Sequence, residues 1–420
     1  MVVVAVAVCR VAVTTHSLEP FGPGEFLCTC SGATDMELTI LMPCLNEAET
    51  LGLCIDKALD FLKREQVNGE VIVGDNGSTD GSQELARNLG ARVVDVPLRG
   101  YGAALYHATR RARGRYVIMG DSDASYDFSD LMPFLTRLRQ GYDLVMGNRF
   151  QGGIKPGAMP WKNRYIGNPI LSWIGWALFR CPARDLHCGI RGFSKSAFDQ
   201  MDLRTIGMEY ASEMVIRATL SGMRITEVPT TLSPDGRSRP PHLRPWRDGW
   251  RHLRFMLLYS PRWLFLYPGL LLIAAGLAVG LWLMPGPRVV HGMSFDVHTL
   301  LYAAMAVLVG FQSVAFSAFA KVFTISEGLL PPDARLEKFF RIVRLEMGLL
   351  AGGCLLAAGI GGSVYATLMW EQTAFSALNP QRVLRVVIPS AVAIALGCEV
   401  MLTSFFLSVL GLRVRNLDNP

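Results

Sequence analysis

The chain changes its hydrophobic pattern once. Up to about residue 230, short apolar runs alternate with amphipathic stretches. Runs at 38–42, 70–74, 91–96, 115–120 and 143–147 are rich in Val, Ile, Leu and Met and are bounded by Gly, Pro, Asn and Asp, which predicts buried strands. Residues 48–63, 82–89 and 103–112 carry helical periodicity between them. Two further strands are predicted at 188–193 and 224–228, and a helix at 209–220. Residues 155–179 predict a partly apolar helix carrying Trp161, Trp173 and Trp176. Strands alternating with helices indicate an α/β domain with a mostly parallel sheet and ligands at the strand C-termini.

From residue 264 the runs become long and unbroken. Segments 264–284, 299–320, 345–370 and 386–412 are each long enough to cross roughly 30 Å of hydrocarbon, predicting an α-helical membrane domain of four spans. Just before them, 240–263 mixes Trp246, Trp250, Phe255, Leu257, Leu258 and Trp263 with Arg247, Arg251, Arg254 and Arg262, a pattern suited to a juxtamembrane helix on anionic headgroups; the plainer reading is an amphipathic core helix. The loop joining the second and third spans holds Lys321, Arg335, Lys338, Arg341 and Arg344, against Arg288 in one opposite loop and Arg382 and Arg385 in the other. That bias places the basic loop, the preceding α/β half and the tail 413–420 on the cytoplasmic side of a multi-pass protein of the cell inner membrane. Glu399 inside the last span marks a functional carboxylate, a helix contact or a paired group.

Composition agrees with a divided chain: 50% of the 420 residues are hydrophobic and 18% charged, too apolar for a purely soluble enzyme and too polar for a bare bundle. The net charge of +6 is modest, and no zinc-finger, homeodomain or RNA-binding pattern is present, so nucleic acid is not an expected partner. Nine scattered cysteines form no Cys-x-x-Cys, consistent with a reduced compartment. Residues 1–35 look like a disordered extension or a start assigned too early, with Met36 as the true start; a weak membrane-association segment is the rival.

The chemistry concentrates at Asp121, Ser122 and Asp123, which end the strand at 115–120. Two carboxylates at one strand end suit Mg²⁺ or Mn²⁺, which bind few protein carboxylates plus substrate phosphates; the bland alternative is a solvated acidic turn. Asp75 ends another strand, so a parallel sheet brings all three aspartates to one edge, where a carboxylate can accept from a base N–H while the pair holds metal and diphosphate. That geometry describes a nucleotide-sugar site. The Gly-x-Gly at Gly100 and Gly102 is weak by itself, and neither a P-loop nor a complete Gly-x-Gly-x-x-Gly is present.

Seven stretches then appear in order: 43–47 (Pro-Cys-Leu-Asn-Glu), 75–81 (Asp-Asn-Gly-Ser-Thr-Asp-Gly), 99–104 (Arg-Gly-Tyr-Gly-Ala-Ala), 121–123, 147–149 (Gly-Asn-Arg), Asp185 with 188–191 (Cys-Gly-Ile-Arg), and 227–229 (Glu-Val-Pro). Together they resemble the family 2 GT-A glycosyltransferases of the dolichol- or polyprenyl-phosphate sugar synthase type, in their multi-span branch. The resemblance covers 37–239 and implies a GT-A domain at 36–239. It further implies that Pro43, Leu45, Glu47 and Asp75 hold the nucleotide, that Asp121 and Asp123 bind metal and diphosphate with Ser122 between them, and that Arg149 meets a donor or acceptor phosphate. Arg239 would replace the lysine of a family Gly-x-Ser-Lys, here 236–239 (Gly-Arg-Ser-Arg). Two departures, 232–235 (Leu-Ser-Pro-Asp) where the family has an arginine and Ser125 where mannose synthases often have Gln, weaken any assignment of GDP-mannose.

The function so implied is inverting transfer of a sugar from a UDP- or GDP-linked donor to a polyprenyl or dolichyl phosphate, with Asp123, Arg149 and Arg239 as catalytic groups. The Gln-x-x-Arg-Trp of processive synthases is missing, since Tyr259 precedes Arg262 and Trp263 at the Gln position. The competing readings are transfer to a hydroxyl, which needs a base such as Asp123 or Asp127, and a lipid-sugar transporter or anchor with a regulatory nucleotide-sugar-binding half. A homo-oligomer is compatible with either.

Overall fold

The computed structural model describes residues 36–238, 245–327, 330, 345–372 and 379–410. The expected extension at 1–35, Arg239, the basic-loop residues Arg335, Lys338, Arg341 and Arg344, and the tail lie outside them.

The α/β half runs β1 (Leu38–Cys44), α1 (Ala48–Arg64), β2 (Gly69–Asp75), α2 (Ser82–Asn88), β3 (Arg92–Asp95), α3 (Tyr101–Arg111), β4 (Tyr116–Met119), α4 (Met132–Arg139), β5 (Leu144–Asn148), α5 (Arg149–Gly152), α6 (Asn168–Phe179), β6 (Arg191–Ser194), α7 (Lys195–Met201), α8 (Tyr210–Leu220) and β7 (Ile225–Pro229). The sheet order is β3-β2-β1-β4-β6-β5-β7. All pairs are parallel except those of β6, which runs antiparallel to both β4 and β5. Both faces of the sheet are covered, which is why its strands read as continuous apolar runs. In β1, Leu38, Ile40 and Met42 enter one core and Leu41 the other, the period of two that a pleated strand imposes. Helix α1 buries Leu51, Cys54, Ile55, Ala58, Phe61 and Leu62, one helical face, against the first core. The order reverses between β1 and β4, which opens a crevice at their C-terminal ends.

Helix α9 (Pro245–Leu258) lies where the juxtamembrane helix was expected, and its two faces divide between the two readings. Asp248, His252, Phe255 and Met256 are buried against the α/β half, whereas Arg247, Trp250, Arg251, Arg254 and Leu258 are exposed. His252 Nδ1 lies 2.8 Å from Ser212 Oγ, and the His187 ring crosses it edge-on at 4.6 Å. Burial pushes His252 down to about 4; Glu209 and Asp248 act the other way, and Arg191 adds to the burial. A buried neutral histidine loses its contribution as pH falls from its unfolded value toward the folded one. Between pH 6.5 and 5 the loss is about 2 kcal/mol. The full chain in detergent should therefore melt at lower temperature at pH 5 than at pH 6.5, and His252→Asn should flatten that dependence; equal slopes would show that His252 stays docked when charged.

The four expected spans are helices: α10 (Tyr267–Leu283, preceded by a π-helical turn at Arg262–Leu266), α11 (Val297–Ser326), α12 (Leu345–Glu371) and α13 (Pro380–Leu410). They pack as two hairpins. In α12 and α13 the backbones touch at Gly352 and Gly397, where a Cβ on either would fall 2.7 Å from the other's carbonyl oxygen. The hairpins join through α11 and α13, by Phe319 against Phe406 at 4.7 Å and by an Asp296–Arg385 ion pair. A small hairpin not foreseen from the sequence, β8 (Arg288–Val290) with β9 (Met293–Phe295), links α10 to α11. Arg204, beside α8, donates to the carbonyl of Glu327 at the end of α11 (2.7 Å), tying the α/β half to the second span.

Candidate active site

The crevice between β1 and β4 gathers most of the expected residues. Pro43 stands opposite Gly74 and Cys44, the last residue of β1, pairs with Asp75, the last of β2, so the two strands end level. Beyond β4, Asp121 and Asp123 follow on the adjoining edge.

Asp75 is 1% exposed. Its Oδ2 accepts from Gly77 N (2.9 Å), Ser78 N (3.0 Å) and Gln83 Nε2 (2.6 Å), while its Oδ1 is buried without a partner. A buried acceptor left open costs about 1–3 kcal/mol unless something donates to it, so Oδ1 is free to accept an incoming N–H. Asn76 fixes the neighbouring turn: its amide donates to Val96 and Leu98, and its Oδ1 accepts from Gly100 N at 2.6 Å.

Asp121 Oδ1 accepts from the Tyr101 hydroxyl at 2.9 Å. Burial, then the charge of Asp123, hold its carboxyl above the usual carboxylate range. Gly189 explains the Cys-Gly-Ile-Arg stretch: a Cβ there would stand 2.2 Å from Asp121 Oδ2. Tyr126 pins that loop by accepting from Gly189 N at 2.9 Å. Arg191, fully buried, holds it from behind by donating to Cys188 O and Ala211 O, both at 2.7 Å.

Asp123 uses both oxygens: Oδ1 accepts from the Ser125 amide (3.0 Å) and hydroxyl, and Oδ2 from Arg237 Nη2 (2.8 Å). Arg237 also reaches Glu47 Oε1 at 3.0 Å, so Glu47 and Asp123 meet through this arginine. Among the described residues no group of three or more His, Cys, Asp or Glu gathers as a metal cage. The pair Asp121 and Asp123 still fits a hard divalent ion, whose remaining positions a diphosphate would fill, and a dication there would offset the burial and the Asp123 charge that raise Asp121.

Two expected residues are placed otherwise. Ser122, 3% exposed, donates to Pro43 O (2.7 Å) and its carbonyl accepts from Thr50 (2.7 Å), so it stitches β1, α1 and β4 together instead of facing a ligand. Arg149 is 7% exposed, and its Nε and Nη2 each donate to Asp185 at 2.7 Å. The guanidinium is matched to a buried carboxylate, not held open for a phosphate, because Asp185 is 0% exposed and needs the charge. Glu227 completes that corner by accepting from Asp185 N and Asn148 Nδ2, both at 2.9 Å. Leu45 is half-buried at the crevice end of β1, beside Asn46, whose φ of 58° Asn tolerates well. Sequence reasoning missed Arg237, Tyr101 and the His187–His252 pair; the only signal for Arg237 was its place inside Gly-x-Ser.

Residues 39–202 match the glycosyl transferase family 2 domain, and residues 318–411 match the glycosyltransferase family 2 C-terminal transmembrane region. The low-salt glycan biosynthesis hexosyltransferase Agl6 of Haloferax volcanii is 36% identical over 390 residues, 92% of each chain. A dolichyl-phosphate hexose transferase of the same organism is 30% identical over 193 residues, 46% of this chain and 81% of that one. A solved glucosyl-3-phosphoglycerate synthase of Mycobacterium tuberculosis, with Mn²⁺ and UDP-glucose, superposes at TM-score 0.42 with 24% identity over 54% of this chain and 79% of that one. With the fold, the strand-end aspartates and a relative aligned over nearly its whole length, this chain belongs to glycosyltransferase family 2 and carries that family's C-terminal transmembrane region.

Proposed function

We propose that the protein moves a sugar from a UDP- or GDP-linked donor to the phosphate of a polyprenyl or dolichyl phosphate, with inversion, at the cytoplasmic face of the cell inner membrane. The base would lie against Asp75, whose unpartnered Oδ1 accepts an N–H, with Pro43, Leu45 and Glu47 along its edge. Asp121 and Asp123 would hold Mg²⁺ or Mn²⁺, which when bound supplies positive charge to the departing diphosphate. Domain bounds at 36–239, 240–263 and 264–412 follow from the same reading.

The observation that carries the phosphate acceptor is the state of Asp123. A hydroxyl acceptor needs a base, yet Asp123 is held by Ser125 and Arg237 without donor and would be committed to the metal with donor bound, and Asp127 is paired with Lys57 at 3.2 Å. A phosphate monoester needs no base, being largely dianionic near neutrality with a second pKa of about 6. Its oxygen attacks the anomeric carbon, the bond to the nucleoside diphosphate breaks, and that group leaves with the electron pair. Cations to steady the lipid phosphate would come from Arg239 and the exposed Lys162, not from Arg149.

Exposed aromatic side chains on α6 and on α9, the helix that leads into the first span, support a lipid acceptor. Trp161, Tyr165, Ile170, Trp173 and Trp176, on α6 and the turn before it, are 50–67% exposed, and Trp250 and Leu258 on α9 are 59% and 53% exposed among arginines. Exposed aromatics beside basic side chains are what a headgroup layer accommodates. Membranes containing the full chain, given labelled UDP- and GDP-sugars with polyprenyl phosphate or the matching polyprenol, should label only the phosphate lipid, and only with divalent metal. Equal labelling of the polyprenol would overturn the acceptor.

A further inference from the structure

After β7 the chain turns back across the crevice. In residues 230–238, Ser233 N donates to Ser125 O (2.9 Å) and Gly236 N to Asp123 O (3.0 Å). Ser238 then closes on Glu49 through its amide (2.9 Å) and hydroxyl (2.6 Å). This strap carries Arg237 inward until its side chain is only 10% exposed. Three carboxylates converge on the guanidinium: Glu47 at 3.0 Å, Asp123 at 2.8 Å and Asp235 at 3.1 Å.

We propose that Arg237 is a donor-positioning residue: it sits on Asp123 as a resident cation and transfers to the donor's diphosphate, so that divalent metal and donor load together instead of metal first. The proposal rests on the donor-site reading above. A dication bound to Asp123 would stand within a few ångströms of the guanidinium, and in a partly buried site that repulsion is weakly screened. Metal alone is therefore opposed. An arriving diphosphate changes the balance, because its oxygens offer the planar guanidinium fork the paired acceptors it now finds on carboxylates. Asp123 is released as Arg237 moves to the phosphates, and the metal takes the vacated oxygen. Metal and donor then strengthen one another's binding by one reciprocal factor. Glu47 has a defined part in this scheme: it holds the arginine beside the site while Asp123 changes partners.

The test is Mn²⁺ titration of the full chain in nanodiscs, followed by electron paramagnetic resonance with no nucleotide present. Arg237→Gln should bind Mn²⁺ about tenfold or more tightly than the unchanged protein, and Arg237→Lys, which keeps the charge but not the fork, should fall between. In transfer assays Arg237→Lys should raise the donor KM more than it lowers kcat. If Asp123→Ala removes Mn²⁺ binding while both Arg237 variants match the unchanged protein, Arg237 is not the competing cation and the donor-site reading stands. If Arg237→Gln binds Mn²⁺ equally with and without Asp123, the donor-site reading falls and the role of Arg237 falls with it. Should Arg237→Gln fail to fold, the lysine variant decides alone: equality with the unchanged protein overturns the proposal.

Discussion

Asp123→Ala is expected to lower sugar transfer at least about a thousandfold, some 4 kcal/mol of barrier, while the chain still inserts in membranes. The size follows from where the carboxylate sits. It is one of two at the end of β4, and its removal leaves Asp121 alone to hold a divalent ion. It also frees Arg237 to rest on Glu47 and Asp235 only, drawing the guanidinium off the line to the diphosphate. The fold should tolerate the change. The side chain is 15% exposed, and the strap it faces keeps its backbone bond to Asp123 O and the Ser238–Glu49 clasp. Asp123→Asn separates charge from shape, since its amide oxygen can still accept from Ser125. It should lose transfer nearly as fully, whereas a merely structural Asp123 would leave the asparagine variant active. Undiminished transfer by Asp123→Ala would remove the metal-diphosphate reading altogether.

What the sequence showed depended on how local the signal was. The strands of the sheet were legible because both faces are buried, so Leu38, Ile40, Leu41 and Met42 all had to be apolar. Asp75 and Asp121 were legible because a parallel strand's end is a fixed place. The antiparallel course of β6 was not, since Arg191–Ser194 reads the same in either direction. Nor was β8–β9, whose turn residues His291 and Gly292 both adopt positive φ (50° and 81°), with His an uncommon choice for such a turn. Charged partners far apart in sequence were hidden most deeply. Arg237 meets Glu47 across 190 residues, and nothing in either neighbourhood signals the other. The same holds for Ser212 with His252, 40 residues apart, which places one buried face on a helix otherwise suited to headgroups.

Arg149 is the case where that blindness has the largest consequence for stability, and the structure turns an expected phosphate ligand into a different prediction. Arg149→Ala is expected to destabilise the full chain by about 3–5 kcal/mol, because it strands Asp185, which is 0% exposed, without its countercharge. For a domain of this size that corresponds to a fall of roughly 6–20 °C in the temperature at which the full chain loses its fold in detergent. Asp185→Ala should cost a similar amount by leaving the guanidinium uncompensated. The pair Arg149→Met with Asp185→Leu removes both charges together, and should recover most of the loss, since replacing a buried ion pair by packed apolar side chains is often neutral. Recovery will be incomplete, because Asp185 Oδ2 also accepts from the Arg149 amide at 3.0 Å and that donor loses its acceptor. The double variant also decides between the two roles. If Arg149 serves the fold through Asp185, the double variant regains transfer as it regains stability. If it contacts a phosphate, stability returns and transfer does not. A single Arg149→Ala chain that melts like the unchanged protein yet cannot transfer sugar would restore the phosphate role and show that the buried pair contributes little.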